Sequence, residues 1–125
     1  MTRYVAILVC SIPVSAFCGP PPEGATDIDR KDYRDGALAA SGDLAKGMVK
    51  YEIVGLPGPH AQDLAREAKH QYGVDVVFHG CIPGPRVWYD QGYLDMVTQH
   101  LKQRYGFDPV AQLDKELLEK YHSAH

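Results

Sequence analysis

The clearest periodicity in the chain begins at Met48. Val49, Tyr51 and Ile53 alternate with Lys50 and Glu52, a two-residue period that predicts a strand with one buried face. Gly58-Pro59 then opens a helix with proline at its first position, and Ala61, Leu64, Ala65, Ala68 and Tyr72 fall on one side at helical spacing. Lys69 and His70 sit in its last turn, where cations suit the helix dipole, and Gly73 is the expected left-handed cap. Val74, Val76, Val77 and Phe78 make a second strand, more apolar and so expected to be the more central one. Gly84-Pro85 opens a longer helix on which Tyr89, Tyr93, Met96, Val97 and Leu101 share a face, with Tyr105 near its end and Gly106 as its cap. Asp108-Pro109 supplies the N-cap and first turn of a third helix, whose apolar stripe is Val110, Leu113, Leu117 and Tyr121.

Before Met48 the pattern is weaker. Residues 19–24 are proline-rich and read as an extended spacer. Residues 27–36 are dense in charge, with four aspartates among Arg30, Lys31 and Arg34. They do not form a calcium loop, because the fifth position from Asp27 is Lys31 and the sixth is not glycine. They read as a solvated, loosely structured face, followed by a short helix over 37–46 that is interrupted near Ser41-Gly42. The expected fold is α/β: one small domain ordered strand–helix–strand–helix–helix, with a parallel strand pair and an irregular N-terminal third. Two strands alone make a marginal sheet. Either the N-terminal segment adds a strand, or two chains join edge to edge as a homodimer.

A repeat underlies this order. Gly55-Leu56-Pro57-Gly58-Pro59 leads through a helix to Tyr72-Gly73-Val74-Asp75, and Cys81-Ile82-Pro83-Gly84-Pro85 leads through another to Tyr105-Gly106-Phe107-Asp108. The second helix is seven residues longer, which is about two turns and keeps its apolar face in phase. Convergence on good loop chemistry explains the prolines and glycines. Duplication is favoured because the turn requires neither the aliphatic residue nor the tyrosine. A short strand–helix–strand connection makes the two strands parallel. Both Pro-Gly-Pro loops then lie at the carboxyl edge of the sheet, where open α/β sheets bind ligands.

The N-terminus changes the compartment. Met1-Thr2-Arg3 precedes an apolar run over 4–17 that contains Pro13 and closes on Ser15 and Ala16. This is the layout of a secretory signal peptide, and the run is shorter than the about 20 apolar residues of a spanning helix. The expected organisation is a signal peptide over 1–16, a spacer and charged segment over 17–47, and the α/β domain with both repeats over 48–125. The product is exported, periplasmic or extracellular, with no stable membrane span after cleavage. Cleavage after Ala16 leaves Cys18 and Cys81 as a candidate disulfide in an oxidising space, whereas cleavage after Cys18 leaves Cys81 alone. The 13 basic and 16 acidic residues are scattered without a basic stripe, which argues against nucleic acid as a partner.

Candidate chemistry gathers at the carboxyl edge. His60 and Arg86 fall at the first turns of their helices, His79 ends the second strand, and Tyr89 and Asp90 lie one turn into the longer helix. Together they form a candidate ligand site, and Arg86 and His60 beside two helix N-termini suit a small anion or an unidentified protein partner. Against an anion, Pro59 and Pro85 lack the amide hydrogens that a phosphate cradle uses. The alternative is a zinc or copper site built from His60, His79 and Cys81. No catalytic residues are assigned, because a cysteine near a histidine in sequence does not make a nucleophile and base. The expectation is a non-catalytic exported binding or interaction protein without a cofactor, with the metal-binding protein as the alternative.

Overall fold

The computed structural model describes residues 20–53, 55, 57–80 and 86–124. The signal-peptide segment over 1–16, the Cys18–Cys81 disulfide and the second Pro-Gly-Pro loop lie outside the described residues. Among those described, the order is α1 (Asp27–Ala45), β1 (Lys50–Ile53), α2 (Ala61–Tyr72), β2 (Asp75–Phe78), α3 (Val87–Tyr105) and α4 (Pro109–Ala124). The molecule is therefore mostly helical, built around one small parallel sheet, and α/β describes it only in a loose sense.

From β1 onward the element order follows the hydrophobic pattern, but the N-terminal third does not. Where an irregular, charged segment was expected, α1 runs unbroken for 19 residues. Thr26 and Asp29 form a reciprocal capping box at its start, and Lys31 bonds Asp35 one turn on. Ser41-Gly42 does not interrupt it, since a side chain at position 42 would meet open space and nothing there deflects the backbone.

Packing explains why so polar a helix is held. Its buried positions are Gly36 and Ala40, and it crosses α3 at backbone contact. Gly36 lies on the carbonyl of Tyr89, and Gly92 lies on the carbonyl of Tyr33. Each helix thus contributes one Tyr-x-x-Gly turn, and each glycine seats on the other helix's tyrosine backbone. The crossing is then locked in both directions: Tyr33 donates to Asp95 Oδ2 at 2.6 Å, and Tyr93 donates to Asp43. Asp95 is buried but not orphaned, since Gln91 also donates to its other oxygen at 2.7 Å.

β1 and β2 pair in parallel, with Lys50 opposite Asp75 and Ile53 opposite Phe78. Tyr51, Ile53, Val76 and Phe78 turn inward on a core of Leu64, Ala68, Val74, Val97, Leu101 and Val110. The apolar run of β2 suggested a central strand, but Val77 faces outward and is 38% exposed. β2 alternates exposed and half-buried residues, so only one of its faces is covered.

The helix boundaries also shift. α2 starts at Ala61 with His60 as its cap, so Pro59 is not the first helical residue, and α3 starts at Val87 with Arg86 as its cap. Ala61 N–H bonds Gly58 C=O at 3.0 Å, so residues 58–60 form a turn ahead of α2. Gly73 and Gly106 are the left-handed caps that the sequence indicated, with φ of 69° and 83°. The two exit tyrosines meet: the Tyr72 and Tyr105 rings stand edge to face with centroids 5.0 Å apart.

Candidate functional site

The carboxyl end of the parallel pair is closed by a bond from Gly55 N–H to Gly80 C=O. Strand alternation sends Glu52 and His79 to the face opposite the core. There His79 Nε2 stands 3.3 Å from Glu52 Oε2, with side chains 40% and 18% exposed. The Glu52 oxygen is sealed from solvent and receives no well-directed hydrogen bond. Burial pushes the Glu52 carboxyl above its usual range, His79 opposes this, and the negative charge of Asp90 adds to it. The nearby Tyr93 phenol is raised as well, first by burial and then by its bond to Asp43.

This shift fixes the sign of a pH effect. A carboxyl whose folded value lies above its unfolded one favours the fold while protonated and loses that contribution as pH rises through the folded value. Glu52→Gln should therefore unfold at a higher temperature than the parent at neutral pH. The gap should close as pH falls below the ordinary glutamate range. Thermal melts across that window check it, and a parent that equals the variant throughout would show that Glu52 carries no such cost.

At the start of α3, the Arg86 guanidinium lies 4.1 Å from the centre of the Tyr89 ring. Its charge also reaches Asp35 on α1, whose carboxyl is held low first by its bond to Lys31. The structure thus brings His79 and Asp90 together around Glu52, and Arg86 together with Tyr89. Glu52 was missed in the sequence because a glutamate alternating with apolar residues reads as a solvent-facing strand position.

His60 goes elsewhere. Its Nε2 is 2.6 Å from Asp114 Oδ1 on α4, the side chain is 11% exposed, and its Nδ1 is sealed without a partner. The ring packs over Gly58, where an added Cβ would come within 3.0 Å of Cε1. A shallow groove of about 240 Å³ between α2 and α4 runs past it, with Arg66, Glu67, Leu117 and Lys120 in its walls.

For the zinc or copper set, Cys81 lies outside the described residues, and His60 and His79 each face their own carboxylate. Among the described residues no three His, Cys, Asp or Glu side chains gather around a common point. No helix among them is long and apolar enough to cross a membrane.

Comparison with protein-family models, with curated proteins and with solved structures finds no match to the chain.

Proposed function

We propose that the chain is a small exported, non-catalytic binding protein that takes its ligand at the carboxyl end of the β1–β2 pair. The export reading rests on the charged start, apolar run and small-residue close of residues 1–16. The binding reading rests on one observation: the Glu52 oxygen is shut away from water beside His79 yet accepts no directed hydrogen bond. A buried acceptor left in that state is costly, and a ligand that donates to it recovers the loss.

The surrounding charges favour a donor-bearing, cationic group over an anion. His79 already faces Glu52, His60 faces Asp114, and Arg86 is stacked on Tyr89 with its charge felt at Asp35. Glu52 and Asp90 are the carboxylates at this edge, and the Tyr89 face already accommodates a guanidinium.

The test is an amide-resolved NMR titration with methylammonium and methylguanidinium, and with phosphate as counter-probe. The organic cations should shift resonances around Glu52, His79 and Asp90, and Glu52→Gln should abolish the shifts while leaving the spectrum folded. Shifts with phosphate alone, or cation shifts that survive in Glu52→Gln, would reject this reading.

A further inference from the structure

We propose that two copies of this chain pair antiparallel through the outer edge of β2, across a two-fold axis at Val77, to make one four-stranded sheet. The inference is independent of the ligand reading above.

The hydrogen-bond pattern shows which groups are available. Asp75 N–H bonds Val49 C=O at 2.8 Å, and His79 N–H bonds Ile53 C=O at 2.9 Å. The odd-numbered residues of β2 therefore point their backbone groups at β1. Val76 and Phe78 point theirs the other way, and no hydrogen bond to those groups is formed among the described residues. Of the two strands β2 carries the exposed residues, Asp75 and Val77, while all four β1 residues are half-buried. An exposed row of unpaired strand groups is a template for another strand.

Of the symmetric registers that keep like faces together, those centred on Val76 and on Val77 overlap the most strand, and the side chains choose between them. In the register centred on Val76, Asp75 would lie opposite an apolar Val77. In the register centred on Val77, Val76 lies opposite Phe78 of the second copy, and the two strands exchange about four backbone hydrogen bonds through those residues. Val77 then meets Val77 at the close, non-hydrogen-bonded position. Asp75 lies opposite His79 at both ends, a carboxylate facing an imidazole that can donate to it, made twice by the symmetry. Both groups have room for this, since the Asp75 side chain is 52% exposed beside Lys69 and His79 is 40% exposed beside Glu52. The pairing also covers Val77, an exposed β-branched residue in a sheet of otherwise marginal size.

Sedimentation velocity over a concentration series, on the chain as an exporting host releases it, should show a monomer–dimer equilibrium. Val77→Lys sets two lysines against each other on the two-fold axis and should raise the dimer dissociation constant about tenfold or more, with helical circular dichroism unchanged. Val77→Cys should form, under mild oxidation, an interchain disulfide that peptide mapping places between position 77 and position 77. That link guards the test if Val77→Lys does not fold. A parent that stays monomeric throughout, a dimer unmoved by Val77→Lys, or interchain links that avoid position 77 would each overturn the proposal.

Discussion

Gly36→Ala and Gly92→Ala should each cost about 3 kcal/mol or more of stability, against little or no loss for Gly42→Ala in the same helix as Gly36. An ideal Cβ at position 36 falls 2.0 Å from the Tyr89 carbonyl oxygen, and one at position 92 falls 2.0 Å from the Tyr33 carbonyl oxygen. Both obstacles are main chain, so no side chain can rotate aside and the helices must part. Parting them stretches the Tyr33–Asp95 and Tyr93–Asp43 bonds that span the same crossing. At position 42 the added methyl meets nothing, and alanine is a better helix former than glycine by about 1 kcal/mol. Because one separation of the helices accommodates both methyls, the double variant should lose less than the sum of the two single losses. Urea unfolding followed by circular dichroism measures all four. A loss at Gly36 no larger than at Gly42 would show that α1 and α3 do not meet at backbone contact.

That crossing also marks where the sequence stopped being legible. From β1 onward, burial is carried mainly by larger apolar side chains at regular spacing: Leu64 on α2, Val97 and Leu101 on α3, Val110 and Leu113 on α4. Their period announces the elements and the parallel pairing. α1 buries glycine and alanine instead, and leaves Ile28 and Leu38 at 71% and 69% exposure. Its apolar residues therefore trace no face, and its charges read as a solvated loop. The same blindness affected the candidate site. His79, Arg86, Tyr89 and Asp90 follow from the repeat and the helix starts; the structure sets His79 against Glu52 just after β2 and Arg86 against Tyr89 at the start of α3. His60 was placed by the same logic, but Asp114 holds it on α4, from a helix whose docking no local pattern encodes. Glu52 became visible only through its burial.

Asp108→Ala should be the most damaging polar substitution, at about 2–3 kcal/mol, because one carboxylate does two separate tasks. Its Oδ1 accepts from the Val110 and Ala111 amides at 3.1 and 3.2 Å, capping α4, and loss of such a cap costs about 1 kcal/mol and up to about 2. Its Oδ2 accepts from the Tyr51 hydroxyl at 2.7 Å, tying β1 to the start of α4. Burial and this bond together hold the Tyr51 phenol in its protonated form, so the hydroxyl keeps a proton to donate after Asp108 is gone. Losing that bond adds about 1 kcal/mol, since the Thr98 side chain remains as a second hydrogen-bond partner of the Tyr51 hydroxyl. Asp108→Asn retains a capping oxygen and should lose only about 1 kcal/mol, the part that belongs to the charged bond with Tyr51. Tyr51→Phe removes the donor and should cost about 1 kcal/mol in the parent, and clearly less in the Asp108→Ala background, where only the Thr98 contact is left to lose. That difference is the decisive measurement, read as a double-mutant cycle from urea midpoints. Equal losses for Tyr51→Phe in both backgrounds would mean that the two residues are not coupled and that α4 is held to β1 by its apolar stripe alone.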